Sequence, residues 1–375
     1  MRGADPVTTA DTHDDRTRND PDRNDAPGDE TGAQKPLASI DWGLAASLGG
    51  RIARPGPRVT RYTMDLAHAE LIEASARAEG PVREVTMLAD GLRVPTARVL
   101  DRSGWIEAAA ASMPAMLGDD VERTGHGIAG KVGGVQAAGL LAFLSSAILG
   151  QYDPFSTDPE TGEPGVLMLV APNIIGVERQ LRVVPSDFRY WVCLHEVTHR
   201  VQFSANPWLA DYMRTNVGLL TGDSGESTAE LVGRIAETLR SGRKRENGVL
   251  GLMQLVQTPE QSEAFERVMV LGTLLEGHAD HVMDAVGPAH VPTVEQIRSA
   301  FDARRSRPQN PLQRLIRALI GMDAKLAQYV RGKAFVDAVV DRVGMAAFNT
   351  VWTSPDTMPT MAEIDDPEQW IARVL

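Results

Sequence analysis

The sequence predicts a predominantly helical α+β protein with few strands. Three observations carry that expectation. Apolar residues recur at three- and four-residue spacing from Ser39 onward, Gly and Pro punctuate those runs, and only two stretches read as extended. The 375 residues, 43% hydrophobic and 23% charged, would suffice for one large domain or several small ones. With no internal repeat and no later low-complexity linker, residues 37–375 read as a single domain.

Residues 1–36, rich in Asp, Arg, Pro, Gly and Thr, bury too little apolar surface to offset their ordering entropy and read as a disordered acidic tail. They contain no apolar stretch of the kind a signal peptide needs. The segment 62–80 is an amphipathic helix, expected to close at Gly80 and Pro81, and 92–102 reads as extended. A further helix is expected over 102–118. The stretch 132–150 carries no charge over nearly the length of a membrane span, but its Gly, Ser and Gln content and the lack of a second such stretch make it a buried core helix. Residues 165–173 form a second strand candidate, either an edge that could pair with an extended peptide or an ordinary core strand.

The formal net charge of −12 excludes a general attraction to nucleic acid or anionic lipid, which needs clustered Lys and Arg. The single cysteine, Cys193, permits no intramolecular disulfide, in keeping with a reducing, cytoplasmic setting, and reads as a small buried hydrophobe. The oligomeric state is left open.

The chemistry concentrates in Trp191 to Phe203, "WVCLHEVTHRVQF". Pro185, then Ser186 as N-cap, and no Gly or Pro before Pro207 predict a helix over about 187–204. His195 and His199 then lie one turn apart on one face, able to reach one Zn2+ ion, with Glu196 placed to act on a water. A third ligand is required. In the helix expected over 273–287, ended by Gly287 and Pro288, Glu276 and Asp280 are four apart. Glu276 is the favoured ligand, with Asp280 as acceptor for the Nδ1 proton of a ligating histidine. His278 and His281 stay open as alternatives. Gly272 and Gly277 are expected to let the two helices come close. Gln202 and Ala205 stand where an extended three-histidine motif would have Gly and His, which excludes that motif. Tyr190, His126, His278 and His281 are unranked candidates to stabilise an oxyanion. Gly125 to Val132 has P-loop spacing but lacks the Ser or Thr that would hold magnesium, and is read as a turn opening a helix.

"HEVTHRVQF", "LLEGHADHVMDAVG", "GLLAFLSSAILGQYDPF", "ARAEGPVREVT", "VGMAAFNTVW" and "MPTMAEIDDPEQWIARVL" together resemble the bacterial zincin-like family of zinc-dependent metalloproteases. The opening "IDWGLAASLGGRIARPGPRV" is most similar to the subgroup associated with biosynthesis of the deazaflavin coenzyme factor 420. The resemblance implies a zincin-like α+β domain, His195, His199 and Glu276 as metal ligands, and Glu196 as catalytic acid/base. The function expected is hydrolysis of a peptide or amide bond. Two alternatives remain: a zinc-stabilised binding or assembly protein without catalysis, and a small-molecule amidase of cofactor metabolism.

Overall fold

The continuous apolar run in Pro164–Val170 separates two of the three cores. In the computed structural model, which describes residues 40–117, 127–159, 161–221, 258–305 and 322–375, this run is the strand β3. It lies between β1 (Arg98–Leu100), parallel to it, and β2 (Gly150–Thr157), antiparallel. Successive side chains of a strand point to opposite faces. Leu167 and Leu169 therefore enter a first core with α2 (Arg61–Thr86), α5 (Ala171–Leu181) and α6 (Pro185–Ala205). Val166, Met168 and Val170 enter a second core with α1 (Trp42–Ile52), α3 (Arg102–Leu117) and α4 (Ile128–Leu144).

A third core gathers Leu209 of α7 (Trp208–Thr221), Val270 to Leu275 of α8 (Pro259–His290), and Phe335 and Val339 of α10 (Met322–Val343). Phe348, Trp352 and Trp370 from the C-terminal turns and short helices complete it. Helix α9 (Val294–Arg305) sends Val294, Ile297 and Phe301 back to the first core. The long helix α8 thus bridges two cores, with Leu274 and Leu275 in the third and Val282, Met283 and Val286 in the first.

Several expectations change. The strand over 165–173 stops at Val170, because Pro172 suits the first turn of α5, where a missing N–H costs nothing. β3 is paired on both sides and cannot take an added peptide strand; β2 is an edge of the sheet. Helix α2 runs through Gly80 and Pro81 to Thr86. A proline inside a helix costs about 3 kcal/mol, but burial of Ala78 and Val82 in the first core continues the stripe past it, and Val82 alone recovers roughly 1.5–3 kcal/mol. In α6 the cap is Val184, with Pro185 at the first helical position and Ser186 inside the first turn.

The uncharged stretch is α4 and the turn leading into β2, and it is buried on one face only. Gly134 and Ala138 lie against α1, where a Cβ on Gly134 would meet the Asp41 carbonyl oxygen at 2.7 Å. Ile128, Val132, Val135 and Leu140 on its other side are exposed. No described helix is long and apolar enough to cross a membrane. Gly277 admits α10 rather than α6, its would-be Cβ lying 2.2 Å from the Gly332 carbonyl carbon, while Gly272 has nothing within 4 Å. The tail over 1–36, Gly125 and His126 lie outside the described residues.

Candidate metal centre

Helix α6 is fixed from behind by buried ion pairs. Arg189 donates to Glu178 at 3.0 and 2.7 Å and to Glu70 at 2.5 Å, and Arg200 pairs with Glu79 of α2. Removing one partner of such a buried pair costs roughly 3–5 kcal/mol, so α6 is held firmly against α2 and α5. Its apolar stripe, Val192, Val197 and Val201, faces the first core. His195 and His199 are left on the flank toward α8.

Glu276 lies on α8 where the helix passes from the third core to the first, and the three side chains meet there. His195 Nε2 is 3.2 Å from His199 Nε2 and 3.3 Å from Glu276 Oε2, and His199 Nε2 is 3.9 Å from the same oxygen. Donor atoms about 2.1 Å from a tetrahedral ion stand roughly 3.4 Å apart, so these separations fit a single zinc. Two imidazole nitrogens and one carboxylate oxygen are also the donor set of open zinc sites. Among the described residues, this trio is the one group of three such side chains with metal-binding spacing.

The other third-ligand candidates have different partners. His278 is fully buried, accepts from Gln202 at 2.9 Å and packs on Phe348 and Trp352. His281 bonds Asp337 Oδ1 at 2.7 Å. Tyr190 lies beneath the Arg77 guanidinium, 4.1 Å from its ring centre. Cys193 is fully buried, and burial pushes its thiol above the usual range. Asp280 lines the same cavity as His195, Glu196 and Glu276.

Electrostatics sets Glu196 and His195 apart. Burial pushes the Glu196 carboxyl up to about 7, with Glu276 adding to the rise and His195 opposing it. Burial works against a charged His195, but the hydrogen bond and charge of Glu276, then the charges of Glu196 and Asp280, outweigh it and bring the imidazole up to about 9. Burial lowers His199.

A cavity of about 250 Å³ opens beside these groups, walled by Leu149, Trp191, Val192 and Phe301 as well as His195, Glu196, Glu276 and Asp280. Gly150 lies close against Glu196, since a Cβ there would lie 2.6 Å from its Cγ and 2.9 Å from its Oε1. Sequence reasoning missed these walls. Trp191 and Val192 precede His195 by four and three residues, so helical spacing could have placed them beside it. Leu149, Gly150 and Phe301 arrive through tertiary packing and carry no local signal.

A helix bearing two histidines and a glutamate, completed by a carboxylate from a second helix, defines the metallohydrolase class. Over residues 40–371 the sequence matches the zincin-like metallopeptidase family, and the chain belongs to it. Membership implies a metal ion, typically zinc. The fold is similar to the crystal structure of a presumed hydrolase with a novel fold from Chloroflexus aurantiacus, at 32% identity and a TM-score of 0.61, covering 89% of this chain and 98% of that one. No curated protein matches.

Proposed function

We propose that the protein is a zinc-dependent hydrolase that cleaves a peptide or amide bond, with His195, His199 and Glu276 as metal ligands and Glu196 as general base. The observation that carries this reading is the 3.2–3.9 Å spacing of three donors from two helices, with a buried carboxyl beside them. When bound, zinc supplies a water acidified to a pKa of about 7 and a Lewis acid for the carbonyl oxygen.

Glu196 does the proton work. Its carboxylate takes a proton from the attacking water as the C–O bond forms, then delivers that proton to the departing nitrogen as the C–N bond breaks. Burial raises this carboxyl from its ordinary value, and a group moved toward the working pH is better suited to accept and return a proton. Trp191, Val192, Leu149 and Phe301 favour an apolar side chain next to the scissile bond. The edge strand β2, which begins at Gly150, offers backbone groups to an extended substrate segment. Asp280, one turn beyond Glu276, adds negative charge that favours a cation beside His195.

The test combines metal content with a peptide library. Wild type is expected to carry about one zinc per chain. Glu196→Gln should keep that zinc and lose roughly 10²–10⁴-fold in turnover; full turnover in this variant would sink the mechanism. Zinc that is essential for folding, with no cleavage of peptides or small amides, would favour the non-catalytic assembly protein. A role in coenzyme factor 420 metabolism would alter the deazaflavin pool in a deletion strain; an unchanged pool would count against it.

A further inference from the structure

Gln202, three residues after His199 on α6, is fully buried and makes three side-chain contacts. Its Oε1 is 2.9 Å from His199 Nδ1. Its Nε2 is 2.9 Å from the Leu275 carbonyl oxygen and 2.9 Å from His278 Nδ1.

The chemistry of these partners leaves one consistent arrangement of protons. A backbone carbonyl only accepts, so the amide nitrogen must face Leu275 and the amide oxygen must face His199. The reversed amide would set two oxygens against each other at Leu275. The oxygen can only accept, so the proton on His199 sits at Nδ1, and its Nε2 presents a lone pair. That Nε2 is the atom 3.2 Å from His195 Nε2 and 3.9 Å from Glu276 Oε2. The second amide hydrogen goes to His278 Nδ1, whose ring is held between Phe348 at 5.5 Å and Trp352 at 5.4 Å.

We propose that Gln202 is a positioning residue for the metal centre: it fixes His199 as the Nδ1-protonated tautomer and turns the Nε2 lone pair onto the metal position. The inference rests on the metal-centre reading above. Gln202 does a second task with the same amide. Leu275 immediately precedes Glu276, so the bond to its carbonyl sets the spacing of the two helices that carry the ligands. A partner that holds the non-ligating nitrogen of a metal-binding histidine is usually a carboxylate, a carbonyl or water. Here a neutral amide does it, which suits a buried place where another carboxylate would go unpaired.

Two measurements test this. In metal-free wild type, in mildly alkaline buffer, histidine ¹⁵N NMR should report His199 protonated at Nδ1; protonation at Nε2 would overturn the proposal. Chelator competition then compares zinc affinities. Gln202→Met keeps the length and removes every polar group, and should weaken zinc roughly 10–100-fold. Gln202→Glu keeps an acceptor opposite His199 Nδ1 but sets an oxygen against the Leu275 carbonyl, so it should lose stability yet keep His199 protonated at Nδ1, which the methionine variant should not. Unchanged zinc affinity in the methionine variant, or a His199 tautomer that it leaves unmoved, would mean that packing alone is at work and would overturn it. If the methionine variant does not fold, the tautomer and the glutamate variant decide. If wild type itself takes up no zinc, the metal-centre reading has failed, and the tautomer still judges Gln202 independently.

Discussion

At the scale of single residues, the centre depends on what is missing at Gly150 as much as on its polar groups. A methyl group there would enter the space of the Glu196 carboxylate, at 2.6–2.9 Å from its atoms. Gly150→Ala is expected to push Glu196 aside and lower turnover at least about tenfold, while zinc affinity, set by other residues, stays near wild type; steady-state kinetics with a metal titration checks both. Protonation gives a second expectation. In the metal-free protein His195 holds its proton up to about 9, so zinc must displace that proton at lower pH. Affinity should therefore rise with pH, by about tenfold per unit for one proton, and level off above that value. A flat profile by chelator competition would contradict it. The side chains that the structure brings together were readable from sequence, because His195, Glu196 and His199 obey helical spacing and Glu276 with Asp280 repeats it. Gly150 was not, since what it touches lies 46 residues away (196 − 150).

At the scale of elements, the packing of α8 on α10 decides where Glu276 stands. Gly277 and Gly332 interlock: a Cβ on Gly332 would lie 2.1 Å from the Thr273 carbonyl oxygen, and one on Gly277 2.2 Å from the Gly332 carbonyl carbon. Backbone cannot yield as a flexible side chain can. Gly332→Ala should destabilise the protein by about 1–3 kcal/mol through overpacking and weaken zinc binding by shifting α8; denaturant unfolding and metal titration read the two effects. Periodicity made the helices visible, and α6 was expected within two residues of its observed ends at Pro185 and Ala205. It could not show which neighbour each helix would meet. Gly277 was expected to receive α6 and receives α10, and α2 outlasts its proline because Val82 is buried in the first core. Likewise the apolar run of β3 looked the same as an edge or as a centre until β1 and β2 were placed beside it.

At the scale of the molecule, the centre sits where two cores meet. His195 and His199 stand on a helix of the first core, and Glu276 lies on α8 just past the third-core residues Leu274 and Leu275. Zinc would join them. A ligand that binds only the folded state at a thousand times its Kd adds about 4 kcal/mol, so chelation should lower the Tm by several degrees; an unchanged melting curve would show that the ion is not held by both helices. The same seam also has a meaning in time. The histidines leave the ribosome well before Glu276, and the bonds that Gln202 makes to Leu275 and His278 wait for that later segment too. A growing chain therefore carries two thirds of its ligand set without a place to use it. Any hydrolytic capacity would wait for the segment that carries Glu276, sparing the nascent protein and its neighbours from a prematurely armed site.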